Sequence, residues 1–120
     1  MSAHHVYLLV ELTIHDGKFD AFEATAKQMI ADTPDESGAI GYEWHLSPDR
    51  TRCRILETYA DANALLAHLK GHVVQELVPV MLESSSIDRA EVYGDPGDEA
   101  REMLAGFGAG IFERWQGFHR

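Results

Sequence analysis

Residues 5–14, HVYLLVELTI, carry apolar side chains on both faces of a strand: Val6, Leu8, Val10 and Leu12 point one way, Tyr7 and Leu9 the other. A strand apolar on both sides has to be covered on both sides, and one helical layer can cover only one of them. Whatever this chain folds into must answer that demand.

The segments that follow supply one covering. His15-Asp16-Gly17 breaks the strand, with Asp16 placed to cap a helix. Residues 18–32 set Phe19, Phe22, Ala26, Met29 and Ile30 on one stripe, with Asp20, Glu23, Lys27 and Asp32 elsewhere, which is the pattern of an amphipathic helix. Thr33-Pro34 ends it, because the residue before proline is pushed out of the helical region. Gly38 opens a second strand, 39–46, in which Ile40, Tyr42, Trp44 and Leu46 share a face. Ser47-Pro48-Asp49-Arg50 is a turn, and 52–60, RCRILETYA, is the returning strand of a hairpin. Asp61 can cap a helix over 62–70 that Gly71 interrupts. The helical pattern then resumes to Glu83, Ser84–Ser86 forms a loop or strand start, and Ile87–Tyr93 is a fourth strand.

The order β-α-β-β-α-β predicts an α+β, ferredoxin-like fold: a split βαβ antiparallel sheet with helices on one face. Residues 1–95 form this domain. Residues 96–120 are an extension of it, a short helical pattern, DEAREMLAGF, followed by a glycine-spaced tail whose Phe112, Trp115 and Phe118 require burial on the domain or on a partner subunit. Since the helices cover one face, the simplest cover for the other is a second copy of the same sheet, so a homodimer is expected.

Composition narrows the function. The net charge is −10, which opposes binding to nucleic acid or an anionic membrane, where clustered Lys and Arg are needed. One cysteine, Cys53, excludes an intrachain disulfide and fits a reducing compartment. On a strand its side chain alternates away from Arg52 and Arg54, so it reads as a structural thiol. The run VYLLV is too short for a signal peptide or a membrane span, and a cytoplasmic protein is expected. His4 and His5 read as solvated or strand-edge residues.

The titratable residues that topology brings together are Glu57, with Tyr59 two residues on along the same strand face, and His68 with His72, which share a helix face if the helix is continuous. A carboxylate and a histidine at an apolar sheet–helix junction have the perturbed acidities that general acid–base catalysis uses. A solvated strand Glu and helix histidines bonded to backbone carbonyls are the alternative. Tyr42 and Trp44 serve either as core aromatics or as the flat wall of a pocket for a planar ligand. His68, His72 and Glu76 extend over two turns, roughly 12 Å at 1.5 Å per residue, too far apart for one metal ion, so no metal is expected.

The run GAIGYEWH followed by SPDRTRCRILETYADANALLAHLKGH resembles the antibiotic biosynthesis monooxygenase (ABM) family, dimeric α/β-barrel proteins of ferredoxin-like topology. The spacing E-x-(Y/W)-x-D, then A-L-x-x-H, is filled by Glu57, Tyr59, Asp61 and His68, while His72 falls one residue early. The likeness spans about residues 5–93 and is nearest to the quinol monooxygenase-like members. It implies oxygenation of a quinol or aromatic compound by O2 without a cofactor, with Glu57 and His68 in proton transfer, and it brings Tyr42, Trp44, Tyr59 and Leu65 around the substrate with His72 at the rim. The family's polyketide-oxidising members use an Asn, a Trp and a Tyr at positions that here hold Ile55, Tyr59 and Leu65. An isomerase or tautomerase using the same pair, or a dimer that only binds a ligand, remains open on these residues.

Overall fold

A computed structural model describes residues 5–120, so His4 lies outside it. The chain forms β1 (Val6–Ile14), α1 (Phe19–Asp32), β2 (Ala39–Leu46), β3 (Arg52–Tyr59), α2 (Ala62–Lys70), α3 (Val78–Met81), β4 (Ser85–Tyr93), α4 (Asp98–Ala105) and β5 (Gly110–Phe112). The sheet order is β2-β3-β1-β4-β5, with β1 between two antiparallel partners. This is the ferredoxin-like arrangement with one addition. The sheet is mixed, not wholly antiparallel, because β5 pairs parallel to β4 through Glu91–Gly110, Val92–Ile111 and Tyr93–Phe112.

One face of the sheet is the core. Val6, Leu8, Leu12 and Ile14 of β1, Cys53, Ile55, Glu57 and Tyr59 of β3, and Ala90 and Val92 of β4 are all buried there. Phe22, Ala26 and Met29 of α1 and Met81 of α3 pack over one half, while Leu65 and Leu69 of α2 and Ala100 and Leu104 of α4 pack over the other. The α4 helix is thus part of the core. Tyr7, Leu9, Arg54, Leu56 and Thr58 alternate onto the opposite face, where no helix lies, and Leu56 is 46% exposed.

Two local expectations need correction. Lys18, not Asp16, precedes the first turn of α1, because Gly17 takes φ +72° and the chain turns through Lys18 N–H to His15 O at 3.0 Å before the helix begins. A bulge between Ala39 and Gly41 shifts β2 by one residue, so Ala39 stands opposite Tyr59 and Ile40 is exposed; Ile40 does not share the face of Tyr42 and Trp44. Of the two covers expected for the tail aromatics, the domain does not supply one for Trp115 and Phe118, which are exposed, while Phe112, half-exposed, lies against Tyr93 at 5.7 Å between centroids. Asp61 does cap α2, its carboxylate accepting from Ala64 N–H at 2.8 Å.

Candidate active site

The site is built where β3 meets α2. Alternation along β3 turns Glu57 and Tyr59 into the core, and Tyr59 donates its hydroxyl hydrogen to Glu57 Oε1 at 2.5 Å. His68 lies in the last turn of α2, buried, with Nε2 3.5 Å from the same Glu57 oxygen. Its other nitrogen, Nδ1, is 2.6 Å from Oε1 of Glu36, a residue just after the Thr33–Asp35 turn and just before β2. Tyr42, paired with Glu57 across β2 and β3, stands edge-on to the His68 ring, the centroids 5.9 Å apart. Two carboxylates, an imidazole and two phenols are therefore packed in one buried cluster.

Burial dominates the electrostatics. It raises the pKa of Glu57, and the nearby Glu36 charge pushes the same way, whereas His68 and the Tyr59 hydroxyl oppose it. Burial and then the Glu57 charge raise both Tyr42 and Tyr59, so the two phenols keep their protons at neutral pH. A carboxylate held in apolar surroundings is a stronger base than one in water, and an adjacent imidazole can take the proton onward.

Glu57, His68 and Tyr42 open on a cavity whose remaining wall is apolar, including Leu8, Val10, Val74 and Met81. Its volume is about 60 Å³, within a cleft of about 560 Å³ counted out to open solvent. Leu104 of α4 and Phe107 just beyond it close one side, so the C-terminal extension is part of the wall.

The other residues singled out by the sequence lie elsewhere. Trp44 packs against Phe22 at 6.0 Å between centroids and faces a groove beside α1, one inward position further along β2 from Tyr42. Leu65 is in the core with Tyr59. His72 is off the cavity: α2 ends at Lys70, and Gly71 takes an extended ψ of 171°, so the i, i+4 relation to His68 is lost. His72 instead pairs with Asp32 of α1 at 2.9 Å, on the surface, which raises the His72 pKa and lowers that of Asp32. A π-helical turn, Val73–Leu77, then re-enters the helical path to α3. Cys53 is buried with its thiol pushed up to about 11 by burial, as befits a structural residue. Among the described residues, no group of three His, Cys, Asp or Glu side chains is arranged to hold a metal ion, and no helix is long and apolar enough to cross a membrane.

Glu36 is the site residue that sequence reasoning missed. It lies 32 residues from His68 in a connecting segment, where no periodicity assigns a face. The only trace is its place between a helix-ending Thr-Pro and the start of a strand that is otherwise part of the site.

Residues 5–79 match the model of the antibiotic biosynthesis monooxygenase family, and the chain belongs to that family. Its fold is similar to that of MupZ from Pseudomonas fluorescens, at 29% identity and a TM-score of 0.85, over 98% of this chain and 95% of that one. The similarity to MupZ thus takes in nearly all of the C-terminal extension. A protein from Shewanella oneidensis is similar at 26% identity, with a TM-score of 0.63, over 75% of this chain and 87% of its own. SnoaB from Streptomyces nogalater, a cofactor-independent oxygenase, shares the fold at 14% identity, with a TM-score of 0.68, over 80% of this chain and 97% of its own. No curated protein matches.

Proposed function

We propose that the protein is a cofactor-independent monooxygenase of a quinol or similarly enolisable aromatic molecule, with Glu57 as base and His68 as its proton partner. The observation that carries this reading is the burial of Glu57 on the wall of an apolar cavity, with His68 Nε2 3.5 Å from its carboxylate. Family membership and the cofactor-independent oxygenase SnoaB support the oxygenase chemistry.

The reaction balances without a further reagent. Glu57 removes a hydroxyl proton from the quinol, and the resulting anion is electron-rich at the adjacent ring carbon. That anion passes one electron to O2, and the radical pair collapses to a carbon–oxygen bond. The peroxide takes from His68 the proton that Glu57 passed to it; Glu57 then takes the hydrogen on the same carbon as a proton, the O–O bond breaks, and the expelled hydroxide receives that proton to become water. A hydroxyquinone and one water result, so quinol plus O2 is fully accounted for. Exclusion of water protects the anion from simple reprotonation, a role for the apolar walls and for Phe107 at the mouth.

Oxygen uptake with a panel of benzene and naphthalene hydroquinones, with ¹⁸O2 labelling of the product, tests the reading. The parent protein should consume one O2 per quinol, and Glu57→Gln should lower kcat by on the order of a hundredfold. Full turnover by Glu57→Gln would remove Glu57 as the base. Turnover of an enolisable substrate with no O2 consumed would mark an isomerase using the same Glu57–His68 pair, since nothing in that pair itself demands oxygen.

A homodimer built through the helix-free sheet face belongs to the same proposal. Half-buried Tyr7, Leu9 and Tyr93 and exposed Leu56 form an apolar strip there that a second sheet would cover.

A further inference from the structure

We infer that Glu36 is a positioning residue for the active-site imidazole: its carboxylate holds the hydrogen on His68 Nδ1, which leaves Nε2 facing Glu57 as the station that receives and returns the substrate proton. The inference rests on the base assignment made above.

Three observations converge on it. The 2.6 Å contact from His68 Nδ1 to Glu36 Oε1 is the shortest polar contact His68 makes, and the opposite nitrogen is the one aimed at Glu57. A carboxylate on one imidazole nitrogen fixes the tautomer and orients the ring, and it stabilises the imidazolium that forms when the other nitrogen takes a proton. Secondly, Glu36 Oε2 is buried and has no hydrogen-bond partner among the described residues. A buried acceptor left without a donor costs stability, so packing alone gives no reason for a carboxylate here. Thirdly, the imidazole stands between two carboxylates. The charged and titratable groups facing His68 are Glu36 from the segment before β2, Glu57 and Tyr59 from β3, and Tyr42 from β2. Glu36 and Glu57 are the anions among them, one on each ring nitrogen.

The positions of the imidazole protons decide the matter, read by ¹⁵N–¹H NMR of His68 in the parent, Glu36→Gln and Glu36→Leu, with kcat and KM measured alongside. The parent should show the hydrogen on Nδ1. Glu36→Leu should lose that preference and lower kcat roughly ten- to a hundredfold, with KM little changed and a displaced pH profile. Glu36→Gln keeps an acceptor oxygen, so it should retain the tautomer and recover part of kcat. If Glu36→Leu keeps the hydrogen on Nδ1, or if both variants turn over with the parent's kcat and pH profile, the inference is overturned. The NMR result does not depend on substrate, so a wrong base assignment would show separately, in Glu57→Gln retaining turnover while the tautomer still follows Glu36.

Discussion

The base role proposed for Glu57 needs it ionised where ionisation is expensive, and that tension can be measured apart from catalysis. Its pKa is raised by burial above the ordinary 4.5. The folded state therefore holds the Glu57 proton more tightly than the unfolded chain does. The stability that this contributes is complete below pH 4.5 and is lost as pH rises through the folded value. Glu57→Gln carries no such penalty. Its melting temperature should exceed the parent's, by a margin that widens between pH 4.5 and neutrality, as calorimetry across that range would show. A constant margin would mean that the carboxylate is not paying a burial cost. The inward placement of Glu57 and His68 was legible in the sequence because strand alternation and helix capping each assign a face. His72 was misassigned because the same periodicity was carried across Gly71, where the chain becomes extended. Glu36 left only that positional trace, since its partner is supplied by tertiary packing.

The contact between α2 and the strand hairpin is set by backbone, not by side-chain bulk. A Cβ on Gly38 would lie 2.2 Å from Ala64 Cβ and 3.2 Å from Ala64 Cα, so the first turn of α2 rests on the chain just before β2. Gly38→Ala must push the two apart, at a cost of about 1–3 kcal/mol, read as a lowered midpoint in urea. Because Glu36 lies two residues away, the same substitution should also weaken the Glu36–His68 contact and with it kcat. Destabilisation below about 0.5 kcal/mol would show that this junction yields easily. Most elements were legible from the sequence: β1, α1, the hairpin and α2 follow from alternation, stripe and cap. The bulge at Ala39–Gly41 was not, because alternation assumes an unbroken register. Nor was β5, three residues long, which exists through a parallel pairing with distant β4 and has no periodicity of its own.

Viewed whole, the chain has one finished face and one unfinished one. The demand made by β1 is met on the helical side, where Val6, Leu8, Leu12 and Ile14 are buried, and is unmet on the side of Tyr7 and Leu9. Sedimentation equilibrium should therefore give twice the mass of one chain at micromolar concentration, and Leu56→Lys, which places a charge on that exposed strip, should shift the population toward one chain. A parent protein that sediments as a single chain would refute the dimer without touching the chemistry assigned to Glu57. The tail bears on this face as well: His119 stacks near Tyr7, with centroids 6.0 Å apart, and near His5 at 5.2 Å. That proximity has a topological meaning. Residues 5 and 119 are neighbours, so the chain that leaves β5 at the sheet edge returns past β4 to the start of the central strand β1, a strap laid across that end of the sheet.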